Sequence, residues 1–518
     1  MDAAAPRSGT TLADLVAVSR AVAATRSRTA KTEAIAAMLA RADADEVGTV
    51  VAFLSGVLPQ RRLGVGYRSL GSLPEPATDA SLTVAHTDAA FDRLAAAAGS
   101  GSSTTRRAEL AALMSRATAD EQRFLRDLMT GNLRQGALDG VVLAAVARAF
   151  DVPDALVRRA TMLAGFTHVV AGLAARGGSE ALEQVGLVVG RPLRPMLAAS
   201  AKTTAEAVEA FAGAEMLVDG KLDGIRVQVH RAGAEVTVFT RSLDEITERV
   251  PEVVEAVAAL PGGDLVLDGE AIVLQGDGRP APFQVTGART ASSADVARLR
   301  TEVPLTTYLF DVLHADGRDL LDAPAGERHE VLTGLAPHLL VPRMLTSDPG
   351  EAGDFFDRLV AAGHEGVVVK DAAAPYAAGR RGSGWVKVKP THTLDLVVLA
   401  VERGSGRRRG WLSNIHLGAR DPATGGYVMV GKTFKGMTDE TLRWQTQRFT
   451  ELAEGPTDGY VVTVRPEQVV EIAVDGIQRS SRYPGGVALR FARVLRYRDD
   501  KTAEHADTID VVRALGPG

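Results

Sequence analysis

The stretch Lys221-Leu222-Asp223-Gly224-Ile225-Arg226 decides how the middle of this chain folds. Apolar and polar residues alternate from residue 225 to 230, a glycine turn follows, and a second alternating run covers residues 236–240. Two alternating runs around a glycine turn predict a β-hairpin. Lys221 is therefore expected at the mouth of a sheet, where its side chain can face a ligand.

A lysine in this position is a candidate nucleophile. A free lysine has a pKa of about 10.4 and is almost fully protonated at pH 7, so it needs burial or a neighbouring positive charge to give up its proton. Arg226 is near enough in sequence to supply part of that charge, and Gly224 permits a close backbone approach. A surface lysine in a turn is the alternative that the stretch alone leaves open.

Length and composition bound the class of protein. A chain of 518 residues is too long for one ordinary core and predicts two to four domains. It contains no cysteine, which excludes disulfides and cysteine-ligated metal sites. The sequence shows no signal peptide and no membrane span, so we expect a cytoplasmic protein. A net charge of −5 means that contacts with nucleic acid would come from local basic patches.

Residues 1–195 have the spacing of an all-α domain, with amphipathic helices beginning near Thr11 and Thr32. Two glycines bracket an arginine in the segment from Gly131 to Gly136, where Arg134 and backbone amides are candidates for gripping a phosphate. A simple joint between two helices is the alternative interpretation. Prolines 192 and 195 mark an extended linker, which predicts a domain boundary at this point.

Residues 196–390 alternate between short strands and helices. Asp268 and Glu270 share one face of the predicted strand 265–273, and carboxylates there are costly unless they meet a cation, a metal or a hydroxyl. Lys387 and Lys389 share a face of the strand 385–389, where they repel each other unless an anion lies between them. Together with Arg381 they predict a cationic face for phosphates.

Residues 391–518 contain several short β-like runs separated by glycine turns, a pattern typical of a small barrel. Arginines recur from residue 490 to 498 near the end of the chain. Their spacing fits either a polyanion-binding surface or a solvated strand.

Taken in order, these segments resemble the motifs of the covalent nucleotidyltransferases, and most closely those of ATP-dependent DNA ligases. The matching segments are Lys221–Arg226, Phe239–Ser242, Asp268–Glu270, Phe310–Asp311, Glu365–Lys370, Trp385–Lys389 and Arg498–Lys501. The resemblance implies a multidomain chain: a helical DNA-binding domain at 1–195, an α+β adenylation domain at 196–390 and a β-barrel OB-fold domain at 391–518. The small size is similar to the bacterial or archaeal three-domain form.

The resemblance also implies a chemistry. Lys221 would attack ATP and form lysyl-AMP, AMP would pass to the 5′-phosphate of a nick, and the adjacent 3′-hydroxyl would seal the strand. The implied partner is nicked double-stranded DNA, encircled by a monomer that acts in replication, repair and recombination. A swing of the last domain about residues 390–395 would serve the different steps.

Roles for individual side chains follow from the resemblance. Nucleotide binding is implied for Asp219, Arg226, Arg241, Glu270, Phe310, Val368, Lys370, Arg381, Lys387 and Lys389. Phe310 and Val368 would sandwich the adenine with Asp219 near its edge. Glu365, with Glu270, would hold Mg²⁺, since this ion prefers oxygen ligands. Arg498 and Lys501 would reach the pyrophosphate, and Arg134 the DNA. In three places this chain departs from common family residues, with Asp219 for Glu, Val368 for Met and Asn132 for Lys.

Other functions share parts of this pattern. An mRNA-capping guanylyltransferase or an RNA ligase shares the lysine motif but lacks the helical N-terminal third. A nick-binding protein with a decayed site is a non-catalytic alternative, and the intact Lys221, Glu365 and Lys387 disfavour it. The absence of cysteine disfavours NAD⁺-dependent ligases, which carry a cysteine zinc site.

Overall fold

A computed structural model describes residues 9–99, 101–133, 135, 139–211, 214–377 and 384–516 of the chain. Within these ranges a helical N-terminal part is followed by two parts built on sheets and helices. None of the helices in the described ranges has both the length and the apolar character needed to cross a bilayer.

Among the described residues of the N-terminal part, nine α-helices pack around one apolar core. The helices are α1 (Leu12–Ala24), α2 (Arg28–Leu39), α3 (Val47–Leu54), α4 (Val84–Ala96), α5 (Ser102–Ser115), α6 (Ala119–Met129), α7 (Asp139–Ala149), α8 (Asp154–Ala164) and α9 (Thr167–Glu183). The Thr11 side chain accepts a hydrogen bond from the Asp14 amide and begins α1 at the predicted place. Helix α2 begins four residues before the predicted Thr32, because Ser27 caps it in the same way.

Gln135 lies between α6 and α7, and its side chain is buried. The Gln135 side chain accepts from the Ser19 hydroxyl and donates to the Leu54 carbonyl, and the Gln135 carbonyl accepts from Lys31 Nζ at 2.9 Å. These partners lie on α1, α2 and α3, so three helices hold Gln135 in place.

The middle part contains two five-stranded sheets. One has the order β1-β10-β9-β2-β8, with β1 (Ala199–Ala201), β2 (Met216–Lys221), β8 (Arg343–Thr346), β9 (Gly366–Asp371) and β10 (Trp385–Val388). The other has the order β4-β3-β5-β6-β7, with β3 (Ile225–Ala232), β4 (Glu235–Thr240), β5 (Leu265–Val273), β6 (Leu305–Ala315) and β7 (Arg318–Asp319). The hairpin predicted after the Lys221 stretch is β3 and β4, joined by a turn in which Gly233 has a φ of 58°.

In the described ranges 196–211, 214–377 and 384–390, six α-helices accompany these sheets: α10 (Thr204–Glu209), α11 (Pro251–Ala258), α12 (Phe283–Ala291), α13 (Val296–Glu302), α14 (Ala325–Leu335) and α15 (Pro349–Ala361). Val253 and Val257 of α11 are fully buried against the second sheet, and Ala352 of α15 is buried against the first. The helices cover one face of each sheet, and residues of both sheets line the cavity between them.

The C-terminal part is a six-stranded antiparallel sheet with a short hairpin and two helices. Its main path is β13-β12-β11-β15-β18, with β14 also paired to β11. The elements are β11 (His392–Arg403), β12 (Leu412–Arg420), β13 (Tyr427–Thr433), α16 (Asp439–Glu451), β14 (Val461–Thr463), β15 (Val469–Val474), β16 (Gly476–Arg479), β17 (Val487–Arg490), β18 (Arg493–Tyr497) and α17 (Ile509–Ala514). Alternate residues such as Ile415 and Leu417 fill its core.

Candidate active site

A cavity of about 1720 Å³ lies where the three parts meet. Its walls come from both sheets of the middle part, from residues 60–62 of the helical part and from residues 490–491 of the C-terminal part. The predicted nucleotide-site residues that line it are Asp219, Lys221, Arg226, Arg241, Glu270, Phe310, Glu365, Val368, Lys370, Lys387 and Lys389. Residues spread over 170 positions of sequence therefore share one pocket, about the size that holds a nucleotide together with part of a larger substrate.

Lys221 is the last residue of β2, and its side chain forms an ion pair with Glu365. The Glu365 amide donates to the Lys221 carbonyl at 2.8 Å, which aligns the two residues across neighbouring strands. Glu365 also pairs with Lys389. Burial alone would raise the pKa of Glu365, but the charges of Lys221 and Lys389 outweigh it and lower that pKa below the usual value. Glu365 is thus an ionised carboxylate between two ammonium groups.

Gly224 is required by the close approach of two backbones. A Cβ atom at this position would lie 2.5 Å from the Ala271 carbonyl oxygen and 2.9 Å from Glu270 Cγ. The Gly224 amide donates to Glu270 Oε1 at 3.0 Å. The glycine of the motif therefore brings the lysine loop against β5, as the sequence predicts.

Arg226 is held by Asp268 through two hydrogen bonds, from Nε at 2.9 Å and from Nη2 at 2.5 Å. It also donates to the Met196 carbonyl at 2.6 Å, and Tyr376 donates to Asp268 at 2.8 Å. The Asp268 side chain is 1% exposed, so its charge depends on this arginine. The predicted cation for the carboxylates of β5 is therefore Arg226.

The apolar end of the cavity is aromatic. Phe310 and Trp385 pack edge to face with ring centroids 6.0 Å apart, and Val368 lies beside them. The Lys370 ammonium lies 4.8 Å from the Phe310 centroid and 4.3 Å from that of Trp385. Flat apolar surfaces beside a cation suit a purine base.

Asp219 is buried at the same end and is bound by two cations. Arg343 donates to both of its carboxylate oxygens, one at 2.6 Å, and Lys370 Nζ lies 2.6 Å from Oδ2. Burial alone would raise the pKa of Asp219, but Arg343 and Lys370 reverse the effect and lower it. Both oxygens are already engaged, so an adenine amine would meet Asp219 as an additional donor.

Glu270 is the second acidic group of the cavity. Burial raises its pKa to about 7, although Lys221, Arg226 and the Gly224 amide act in the opposite direction and Glu365 adds repulsion. Its charge therefore changes close to neutral pH.

This raised pKa predicts a pH-dependent stability. The folded pKa is about 7 and the usual value is 4.5, so the stabilisation from Glu270 is complete below pH 4.5 and is lost as pH rises through 7. Glu270→Gln does not titrate. Its melting temperature relative to the parent protein should therefore be higher at pH 8 than at pH 4.5, measured by scanning calorimetry after AMP has been removed with pyrophosphate. The exposed Glu248→Gln serves as control, and an equal difference at both pH values would contradict the prediction.

Two predicted residues lie away from the cavity. Arg498 bonds to Asp395 at 3.2 Å and to Asp500 at 2.6 Å, and Lys501 bonds to Asp395 at 2.5 Å. Neither lines the cavity wall. Arg134 and Arg381 lie outside the described residues, so their predicted contacts stay predictions.

The C-terminal part instead presents Arg490 and Phe491 to the cavity. Arg490 donates to Asp223 Oδ2 at 2.6 Å and thereby contacts the nucleophile stretch directly. Phe491 is 56% exposed and has a φ of 54°. Sequence reasoning placed Arg490 in a run of arginines that fits a polyanion-binding surface or a solvated strand, but it assigned neither Arg490 nor Phe491 to this cavity. It also missed the Asp219 partner Arg343, because local patterns carry no signal for a contact across 267 or 124 positions.

Glu365 and Glu270 are the candidate metal ligands of the cavity. In the described part of the chain no three acidic or histidine side chains converge on one point. The two Glu365 oxygens pair with Lys221 and Lys389, and Glu365 and Glu270 repel each other, a repulsion that a bound cation would relieve. One or two carboxylates completed by substrate phosphates and water are a typical Mg²⁺ arrangement, and these two glutamates fit it.

Comparisons with known proteins agree with this geometry. Three family models match, described as "ATP dependent DNA ligase domain" at residues 195–389, "ATP dependent DNA ligase C terminal region" at 408–501 and "DNA ligase N terminus" at 67–147. A "Probable DNA ligase" of Beutenbergia cavernae is 62% identical over 512 residues, covering 97% of this chain and 99% of the relative. "DNA ligase B" of Mycobacterium tuberculosis is 57% identical over 507 residues, with the same two coverages.

A solved structure titled "Pmar-Lig_PreS3" shares the fold, with a TM-score of 0.61 at 20% identity over 93% of this chain and 99% of that one. Identity near 60% over almost the full length of both chains, together with the three family models, leaves one conclusion. This chain belongs to the family of ATP-dependent DNA ligases.

Proposed function

We propose that the protein seals nicks in duplex DNA through AMP carried on Lys221, in replication, repair and recombination. The observation that carries this proposal is the placement of Lys221 at the end of β2, paired with Glu365 in a cavity lined by Lys387 and Lys389. A nucleophile surrounded by cations suits attack on a phosphorus that gains negative charge.

In the first step the Lys221 nitrogen loses a proton and bonds to the α-phosphorus of ATP, while the bond from that phosphorus to pyrophosphate breaks. Lys387 and Lys389 stabilise the charge on the α-phosphate oxygens. Glu365 forms an ion pair with Lys221 in the nucleotide-free protein. Lys387 and Lys389 line the same cavity and would attract the triphosphate to the end of β2, where Lys221 can attack it.

The remaining nucleotide contacts follow from the walls of the cavity. The adenine lies between Phe310 and Val368 with Asp219 near its edge, and Glu270 meets the ribose. Arg241 lines the cavity and forms no hydrogen bond or ion pair with any described residue, which leaves it available to the nucleotide. Glu365 and Glu270 would hold Mg²⁺, which supplies Lewis-acid stabilisation of phosphate charge.

In the second step an oxygen of the 5′-phosphate at the nick attacks the AMP phosphorus, and the bond from that phosphorus to Lys221 breaks. In the third step the 3′-hydroxyl attacks the activated 5′-phosphate, loses its proton and releases AMP. The two carboxylates and the lysines of the cavity stay in place for each transfer, so one pocket serves all three steps.

The domain organisation supports a ring around DNA. We place boundaries after residues 195 and 390, because the helical core ends near Leu182 and β11 opens the C-terminal sheet at His392. The third domain is proposed to be an OB-fold barrel, supported by its six-stranded antiparallel sheet. A monomer whose three domains already meet around one cavity is long enough to encircle a duplex.

The C-terminal domain has two groups of cations, Arg490 and the pair Arg498 and Lys501, and only the first contacts the cavity in this structure. A swing of the domain would allow each group to reach the site in turn. Arg490 contacts the nucleophile stretch here, whereas Arg498 and Lys501 bind Asp395 at the start of the same domain. We propose that this orientation serves the DNA steps, and that the domain turns about residues 390–395 to bring Arg498 and Lys501 to the pyrophosphate in the first step.

The swing predicts a step-specific effect of a cross-link. Gln284 Nε2 donates to the Arg479 carbonyl at 3.3 Å across the domain boundary, and the chain has no native cysteine. Gln284→Cys with Arg479→Cys, joined by a short bismaleimide, should lower lysyl-AMP formation about tenfold or more. Enzyme that already carries AMP, cross-linked on nicked DNA before Mg²⁺ is added, should still seal. Each single-cysteine variant treated alike is the control, and equal losses at both stages would contradict the swing.

Nucleotide and nucleic-acid preference test the proposed function itself. The protein is incubated with Mg²⁺ and α-labelled ATP or GTP, resolved on a denaturing gel, and chased with nicked DNA or nicked RNA. Label from ATP alone that moves to nicked DNA supports the ligase. Label from GTP would favour capping chemistry, and transfer only to RNA would favour an RNA ligase.

A further inference from the structure

A basic turn of the helical domain forms part of the wall of the catalytic cavity. Gln60, Arg61 and Arg62 follow α3 and line the same cavity as Lys221. None of them belongs to a motif that assigns the nucleotide site. The turn adds two arginine side chains to the wall of the cavity that contains Lys221.

The turn is fixed to its own domain. Gln60 Nε2 donates to Asp88 Oδ1 and to Asp92 Oδ1, both at 2.8 Å and both on α4. Leu63 is 5% exposed in the helical core. Arg61 is thus held from both sides by buried or hydrogen-bonded neighbours.

Arg61 adopts a left-handed backbone conformation, with a φ of 60°. A residue with a side chain pays for this conformation, and such residues gather at ligand clamps and active sites. The Arg61 guanidinium lies between the Phe166 ring of its own domain and Asp244 of the middle domain. Arg61 is 53% exposed, so the core of the helical domain does not need its guanidinium.

Arg61 makes only weak interactions in the DNA-free protein. Its guanidinium lies 4.0 Å from Asp244 Oδ1, and that carboxylate is 60% exposed. It also lies 5.5 Å from the centroid of the Phe166 ring. Exposed ion pairs at this distance contribute little. Arg62 forms no ion pair or hydrogen bond through its side chain in the described ranges, and it too is exposed.

Asp244 belongs to a tight turn beside Arg241, another cation of the cavity wall. Ser242 Oγ donates to Asp244 Oδ2 at 2.6 Å, and the Asp244 amide donates to Thr240 Oγ1 at 3.2 Å. The carboxylate is therefore a fixed anion at the seam between the two domains. The Asp244 carboxylate thus marks a position beside Arg61 and Arg62 that a phosphate group could take.

We propose that Arg61 and Arg62 bind the sugar-phosphate backbone beside the nick, and that Asp244 takes the place of a phosphate until DNA arrives. The inference rests on the proposed function, because it assumes a duplex in this cavity. A guanidinium binds a phosphodiester through charge-assisted hydrogen bonds that the distant carboxylate does not form. When DNA binds, Arg61 leaves its weak pair with Asp244 and contacts a phosphate instead. This exchange closes the helical domain on DNA.

The test measures binding of nicked duplex over a range of salt concentrations by fluorescence anisotropy, without Mg²⁺. Arg61→Ala and Arg62→Ala should each weaken binding about fivefold and reduce the slope of log affinity against log salt by about 0.9. Asp244→Asn keeps the turn and should tighten binding. Arg68→Ala, an exposed arginine outside the cavity wall, is the matched control and should change neither quantity.

A second measurement separates DNA binding from nucleotide binding. The rate of lysyl-AMP formation without DNA should stay within about twofold of the parent rate in Arg61→Ala and Arg62→Ala. A large loss of that rate would show that the turn serves the triphosphate and would overturn the proposal. So would an unchanged salt slope, or weaker DNA binding by Asp244→Asn. Failure of the parent protein to form lysyl-AMP would refute the proposed function and leave the binding result to be judged separately.

Discussion

Lys221→Ala is expected to abolish covalent AMP on the protein and to lower nick sealing from ATP about a thousandfold or more. The side chain supplies the nitrogen that bonds to the α-phosphorus, and no other lysine of the cavity occupies the end of β2. Losses of this size are typical when a nucleophile is removed. The measurement is gel labelling with α-labelled ATP, followed by single-turnover sealing of a nicked duplex.

A pre-activated substrate supplies the control for Lys221→Ala. A nick whose 5′-phosphate already carries AMP needs only the attack of the 3′-hydroxyl, so the variant should still seal it. That outcome separates loss of the nucleophile from loss of the fold. Lysyl-AMP at the parent level in Lys221→Ala would contradict the assignment.

Asp268→Ala is expected to destabilise the middle domain by about 3–5 kcal/mol, because it leaves the guanidinium of Arg226 without its partner. Asp268 is buried and receives two hydrogen bonds from Arg226 and one from Tyr376. The loss should appear as a lower midpoint for the middle domain in chemical denaturation. Formation of lysyl-AMP should fall with it, since Arg226 lines the cavity and packs 5.4 Å from the Phe310 centroid.

Asp277→Ala is the matched control for this prediction. Asp277 also faces an arginine, Arg279 at 3.7 Å, but both side chains are 61% exposed. Exposed pairs contribute about 0–1 kcal/mol, so the midpoint should hardly move. Equal midpoints for the two variants would contradict the account of Asp268 as a buried anchor.

Local patterns predict much of this fold. Period-two alternation identifies β3 and β4, and the turn at Gly233 joins them. The side chain of Thr11 begins α1, a signal visible in the sequence. Short-range backbone preferences decide such elements, so the chain itself carries the information.

Local sequence patterns do not predict contacts between strands that are distant in the sequence. The pairing of Asp219 with Arg343 depends on β2 and β8 being neighbours, which alternation within one strand does not reveal. The contact of Arg490 with Asp223 depends further on how the C-terminal domain is oriented. Each of these ion pairs joins residues more than a hundred positions apart.

Arg498 and Lys501 also show that sequence patterns do not reveal domain orientation. Their motif predicts a role at the pyrophosphate, yet both bind Asp395 within their own domain here. A motif identifies which residues serve a reaction, whereas the domain orientation decides when they reach it. A residue that reaches the site in only one domain orientation is therefore harder to locate than Lys221, which already lies in the cavity.

Peptide mapping of the modified protein tests the central claim most directly. Protein freed of AMP is incubated with ATP and Mg²⁺, divided, and digested before or after addition of nicked DNA, with the modified residue identified by mass spectrometry. The account predicts AMP on Lys221 alone, and its loss in step with an equal amount of sealed DNA. AMP on another residue, or sealed DNA formed from ATP without modification of Lys221, would contradict it.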